Sequence, residues 1–382
     1  MGHYVEVLTY AIVDREGFSS RDASKVLHKR YTYEGISVTA LRHLNMPDNH
    51  AFSFDFMNDE LYYEARKILE DGAFDLYHCA HPLYITSSIK AAKDLGVKVV
   101  LMVTDYWLMC PLGIMLRLDN TLCDGPDEGR NCLQYCFTKV GEAAMQKRIA
   151  AAKKLLEYCD CLLSPSQFLI QLFNYAGFIS ADRFILSRHG FDYSRKKRHS
   201  FERDETVITF GYIGTVQHHK GVHIMVEGFR KAHRENMRLQ VWGGSFNEVE
   251  YEKSVKKIAE RDSRIEFMGA YNFNDVENIL AAIDVVIVPS IWYENAPLTI
   301  TTSLAYGIPV VASDIGGMRE MVNGGRNGLT FKVGDILDFS KNIDRIASDR
   351  ATIDSFKKTL KYPIRTEEEA FNTELVYKNL QS

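Results

Sequence analysis

Short apolar runs recur along the chain between segments of helical spacing: Val5 to Thr9, Phe74 to His78, Val97 to Val103, Asp160 to Ser164, Val207 to Ile213, Leu239 to Trp242, Asp284 to Val288 and Pro309 to Ala312. Near-continuous apolar strands bury both faces, and their alternation with helices predicts an α/β protein with doubly wound parallel sheets. The alternation pauses once, around Gly190 to Glu205. There Ser194-Arg195-Lys196-Lys197-Arg198-His199 is polar and basic, as a solvated linker is, before a fresh strand opens at Val207. This predicts an N-terminal domain at 1–195, a linker at 196–205 and a second domain at 206–363. The last segment, 364–382, has Thr366 as a cap, an acidic first turn and apolar spacing through Phe371, Leu375, Val376 and Leu380. It predicts an amphipathic helix packing across a domain surface.

Length agrees with this division, since 382 residues exceed one ordinary core and suit two. A formal charge of -4 supplies no global attraction for nucleic acid or an anionic membrane, so no nucleic-acid partner is expected. No apolar stretch reaches the ~18 residues of a membrane span, and Met1-Gly2-His3-Tyr4 has no leader character. The expectation is a cytoplasmic protein. Seven cysteines, at 79, 110, 123, 132, 136, 159 and 161, are spaced too irregularly for a secreted disulfide framework.

The stretch Pro289-Ser290-Ile291-Trp292-Tyr293-Glu294-Asn295-Ala296-Pro297-Leu298 follows a buried strand and presents Glu294 on a loop. Asn295 and Pro297 are expected to start a helix that Gly307 stops, aiming free amides and a helix dipole at an anion. A second element, Phe210-Gly211-Tyr212-Ile213-Gly214-Thr215-Val216-Gln217-His218-His219-Lys220-Gly221, ends a strand on a bare glycine and brings a lysine to the next helix. Alone, that pattern also fits a glycine turn with a solvated lysine. Together, GYIGTVQHHKGVHIMVEGF and ENAPLTITTSLAYGIPVVASDIGG resemble the nucleotide-binding domain of the family-four retaining glycosyltransferases. These carry two Rossmann-like domains facing a cleft, the GT-B arrangement. The resemblance extends over nearly the whole C-terminal half.

The resemblance implies a donor site made of Gly214, Thr215, Lys220, Gly269, Tyr271, Glu294, Asn295, Ala296, Pro297, Leu298 and Thr302. Lys220 would neutralise the donor diphosphate, Glu294 would meet the sugar hydroxyls, and the Asn295 to Leu298 amides would hold phosphate and sugar. No cofactor or metal is needed for such a step. Two positions depart from the family: Thr215 stands where an arginine is expected, and Thr302 where a second glutamate is expected. Each replaces a charged partner by a hydroxyl, which implies weaker donor binding or a changed donor.

In the N-terminal half, Val97 to Trp107 followed by Cys110-Pro111 is similar to the acceptor domain of the same family, with Thr104 in place of a histidine. Asp105 is placed either to orient an acceptor hydroxyl, making it a third catalytic candidate beside Glu294 and Lys220, or to cap the next turn. His78 and His81 are open between cleft and core. Ser164-Pro165-Ser166-Gln167-Phe168 and His189-Gly190-Phe191-Asp192 match positions near the cleft's inner edge. Gly2 to Thr9 is similar to the family's second strand. The usual first strand, glycine-rich loop and first helix are therefore expected to be absent, through truncation or with a protein partner or another segment covering the gap.

Cys110, Cys123, Cys132 and Cys136 fall in one loop-like insertion. Four thiolates suit a tetrahedral structural zinc; free or partly buried thiols are the alternative. A helix from Ala143 to Glu157 carries Lys147, Arg148, Lys153 and Lys154, either as a solvated face or as a peripheral contact with a phospholipid-linked acceptor at the inner membrane face. The functional expectation is a retaining, hexosyltransferase-type enzyme. It would move a sugar from a nucleotide-diphosphate sugar to a glycan or lipid-linked acceptor in surface polysaccharide or glycoconjugate assembly. The alternative is a non-catalytic or partner-dependent relative that binds nucleotide, glycan or protein.

Overall fold

The computed structural model describes residues 2–12, 16–20, 25–45, 56–192, 206–322 and 324–382. The predicted linker at 196–205 and the basic run Ser194 to His199 lie outside the described residues. The C-terminal body contains β9 (Ile208–Ile213), β10 (Met237–Trp242), β11 (Ile265–Gly269), β12 (Val285–Val288), β13 (Val310–Ser313) and β14 (Gly328–Phe331). These pair in parallel in the order β11-β10-β9-β12-β13-β14. Successive residues of the β-branched strands serve opposite faces: Val285 and Ile287 join one core, Val286 and Val288 the other. The strand order reverses between β9 and β12, and open parallel sheets bind ligands outside the carboxyl ends at that point.

The N-terminal body has two sheets. β5 (Leu76–Cys79), β6 (Lys98–Met102), β7 (Cys161–Ser164) and β8 (Phe184–Leu186) are parallel and lie in chain order. On one face Val99, Leu101 and Leu162 join the main N-terminal core. On the other, Val100, Met102, Cys161 and Leu163 lie under Val376, Tyr377 and Leu380 of the closing helix Thr366–Gln381. That helix begins differently from expectation. Thr366 is its first helical residue, the cap is Arg365, and no side-chain capping bond forms. Its Glu369 instead accepts the Gly190 amide at 2.8 Å, drawing the helix onto the N-terminal body.

A second, mixed sheet contains β1 (Glu6–Tyr10), β2 (Ser19–Ser20), β3 (Val26–Tyr33) and β4 (Ile36–His43), in the order β1-β4-β3-β2. β1 and β4 are parallel, whereas β3 and β4 form an antiparallel hairpin absent from the predicted pattern. Its turn residues Glu34 and Gly35 both have positive φ, which matches the twist of a two-residue hairpin loop.

Candidate active site in the cleft

The loops after β9 and β12 meet at the point where the strand order reverses. Lys220 Nζ, Ser290 Oγ and Trp292 Nε1 donate to one oxygen, Glu294 Oε1, at 2.7, 2.7 and 3.0 Å. Glu294 is buried, so its carboxylate depends on those donors in place of water. Lys220 also lies over the Trp292 ring, 5.1 Å from its centroid, and Trp292 meets the His219 ring edge-on. Burial and the neighbouring Lys220 charge hold His219 below the ordinary histidine pKa, which favours a neutral imidazole here.

Two glycines make this approach of loops possible. Gly221 has φ +68, and a Cβ there would lie 1.9 Å from the Pro289 carbonyl oxygen. A Cβ on Gly317 would lie 1.5 Å from the Asn295 oxygen, and the Gly317 amide itself donates to the Glu294 carbonyl at 2.8 Å.

The helix after Glu294 runs Leu298–Ala305 with Pro297 at its cap, and no side-chain capping bond forms among the described residues. Asn295 therefore does not cap it, contrary to the sequence pattern. Its Nδ2 reaches across the cleft and donates to the Thr104 carbonyl at 2.7 Å, while its Oδ1 is buried and has no hydrogen-bond partner. Ala296 and Pro297 are half-buried and Leu298 is exposed, so the helix start opens on the cleft.

The remaining predicted donor residues lie after β9, at and beyond the end of β11, and in the helix after Glu294. Gly214 is tied to β10 through its amide and the Trp242 carbonyl at 3.0 Å. Thr215 is turned into its own loop: its hydroxyl donates to Gln217 Oε1 at 3.1 Å, and its carbonyl accepts from the Tyr212 hydroxyl at 2.6 Å. Gly269 ends β11 and its carbonyl accepts the Gly243 amide, with half-buried Tyr271 beyond it. Thr302 is half-buried in the second turn of Leu298–Ala305.

The N-terminal side of the cleft is built by the ends of β5 and β6. Asp105 caps the next turn and also meets a histidine: Oδ1 accepts the Trp107 amide at 2.9 Å, and Oδ2 pairs with His81 Nε2 at 2.8 Å. Hydrogen bonding to this carboxylate raises the His81 pKa above its ordinary value. His78 is directed away from the cleft, with Nδ1 2.5 Å from the Tyr377 hydroxyl under the closing helix. Tyr106, 1% exposed, has a buried hydroxyl without a partner; burial first, and then the Glu294 charge, raise its pKa well above the usual value.

A further contact crosses the cleft. Glu320, in the short helix Gly316–Met321, accepts from Ser166 Oγ at 2.8 Å, from the amides of Gln167 and Phe168, and from Arg188 Nη2 at 2.9 Å. The carboxylate thus sits on the N-terminus of the helix Gln167–Tyr175 in the other domain. Ser166 lies in a segment the sequence marks as cleft-facing, but its partner carries no recognisable signal.

The expected cationic face of the helix Glu142–Tyr158 is corrected by its packing. Arg148 is 1% exposed and donates to the carbonyls of Leu108 and Trp107, so it is removed from any membrane-facing set. Lys153 and Lys154 pair with Glu128 and Glu157. No described helix is long and apolar enough to cross a membrane. Cys110, Cys123, Cys132 and Cys136 line one small cavity. Among the described residues, however, no three His, Cys, Asp or Glu side chains are already gathered as a metal-ligand set.

Residues 207–349 match the family model described as glycosyl transferases group 1. The chain is 26% identical over 147 residues to an uncharacterized glycosyltransferase of Methanocaldococcus jannaschii, which covers 38% of this chain and 37% of that protein. It is 35% identical over 77 residues to an Escherichia coli UDP-Gal:alpha-D-GlcNAc-diphosphoundecaprenol alpha-1,3-galactosyltransferase, covering 20% of each. The chain therefore matches well under half the length of these relatives. Among solved structures, Anabaena HepE in complex with UDP and glucose superposes with a TM-score of 0.66 at 16% identity, over 90% of this chain and 86% of that one. The fold is the two-domain GT-B arrangement.

Proposed function

We propose that the chain transfers a sugar from a nucleoside-diphosphate sugar, with retention at the anomeric carbon, to a glycan or lipid-linked acceptor. The observation that carries this reading is the Lys220–Glu294 centre at the strand-order reversal, whose loop reaches the Thr104 carbonyl across the cleft through Asn295. As the glycosidic bond breaks, charge builds on the leaving diphosphate. Lys220 and the backbone amides of Ala296 and Leu298 stabilise that charge more in the transition state than in the bound donor. Glu294 accepts hydroxyls of the donor sugar, exchanging its present donors Ser290 and Trp292 for them. The leaving phosphate takes the acceptor proton, and the His81–Asp105 pair orients the acceptor on the N-terminal side.

The two relatives support the donor and acceptor classes: UDP and glucose are bound by the Anabaena protein, and a diphosphoundecaprenol-linked acceptor is used by the E. coli one. A lipid-linked acceptor would place the protein peripherally at a membrane. The second reading, a relative that binds without turnover, is favoured by Thr215 and Thr302, whose hydroxyls replace charged partners. Incubation of UDP-, GDP- and ADP-sugars with polyprenyl-diphosphate glycans, with NMR of the product linkage, separates the readings. An α-linked product from an α-linked donor is expected. A β-linked product would overturn retention, and donor binding without transfer would establish the second reading.

A further inference from the structure

The segment after β6, from Cys110 to Phe137, carries little regular structure. A single isolated bridge joins Leu116 to Leu122, followed by a tight turn at Asp127–Gly129 and a short helix at Arg130–Tyr135. Yet Cys110, Met115 and Cys132 are buried there. Four of the seven cysteines, Cys110, Cys123, Cys132 and Cys136, surround one cavity of about 10 Å³, which is room for one small occupant. Cys79, Cys159 and Cys161 lie elsewhere, on or beside the parallel strands.

Cys123 is held as a thiol, its Sγ donating to the Gly125 carbonyl at 3.5 Å, beside the other three cysteines of the same cavity. The buried Arg148 guanidinium lies within electrostatic reach of Cys110 and Cys132 and would offset negative charge there. A divalent ion bound by such thiols displaces their protons.

We propose that Cys110, Cys123, Cys132 and Cys136 form a structural metal site of the tetrahedral four-thiolate class that holds zinc. The four cysteines line the cavity but are not gathered as a ligand set, so binding draws their sulfurs to ~2.3 Å from the ion. One divalent ion displaces four thiol protons to solvent, leaving a tetrathiolate of net charge -2 with no change of oxidation state. Arg148 offsets part of that charge. The staple fixes the loop that follows Thr104, Asp105 and Tyr106, so it also steadies the N-terminal wall of the cleft.

Elemental analysis of the whole chain, produced in zinc-supplemented medium, tests this directly. Stoichiometric zinc is expected, retained by Cys79→Ser and lost by Cys132→Ser. Because Cys132→Ser can fail to fold, metal-stripped wild type is titrated with cobalt in parallel. Intense sulfur-to-cobalt charge transfer with tetrahedral ligand-field bands supports the site. Absence of stoichiometric metal together with a cobalt spectrum lacking thiolate bands overturns it. Iron with acid-labile sulfide in place of zinc overturns the single-ion assignment.

Discussion

Replacing Glu320 with alanine removes the acceptor that binds the C-terminal domain to the start of the helix Gln167–Tyr175. Four donors converge on this carboxylate, whose side chain is only 16% exposed: Ser166 Oγ, the Gln167 and Phe168 amides, and Arg188. Single hydrogen bonds to a charged group contribute about 1.5–3 kcal/mol, and four on one carboxylate do not add. The Arg188 side chain is 40% exposed, so solvent screening reduces its share to about 1 kcal/mol or less. A net loss of about 3 kcal/mol is expected for Glu320→Ala, equivalent to about two decades in the equilibrium for parting the domains. Urea unfolding followed by tryptophan fluorescence, repeated with Arg188→Ala and the double variant, measures it. Arg188→Ala should cost little once Glu320 is gone. A Glu320→Ala protein within about 0.5 kcal/mol of wild type, or equal Arg188→Ala costs in both backgrounds, would refute the cross-domain contact.

Asp105→Asn should lower the His81 titration midpoint, read by NMR of the ring protons. In the wild type the raised pKa means that this pair's stabilisation is full below the ordinary histidine pKa and is lost as pH rises through the raised one; an unmoved midpoint would contradict the pairing. Gly317→Ala would set a methyl 1.5 Å from the Asn295 oxygen. It should weaken nucleotide-sugar binding by about tenfold or more through displacement of Glu294 and Asn295, measured by calorimetry; wild-type affinity would mean the loop does not form the donor site.

The residues on each side of the cleft were legible because strand, loop and helix follow one another in sequence: Val285 to Val288, then Glu294, then Leu298. What sequence leaves open is the pairing between loops. Lys220 and Glu294 lie on separate loops, and only the adjacency of β9 and β12 brings them to 2.7 Å. His81 could not be assigned for the same reason: its partner comes from the register that sets Cys79 opposite Leu101. The β3–β4 hairpin escaped the reading because residues such as Lys29, Arg30 and Tyr31 interrupt its apolar positions, although Glu34-Gly35 between two alternating runs is a usable turn signal. Arg148 shows the converse error, since a basic residue on a helix reads as surface until the carbonyls of Trp107 and Leu108 are seen to receive it.

Calorimetric titration of the protein with UDP, GDP and ADP and their sugars, comparing wild type with Lys220→Ala and Glu294→Ala, tests the central claim most directly. Saturable binding of at least one donor is predicted, weakened by each substitution by about tenfold or more as charged contacts are lost. Saturable binding that neither substitution changes, or binding by no member of the panel, would contradict a donor site at the Lys220–Glu294 centre.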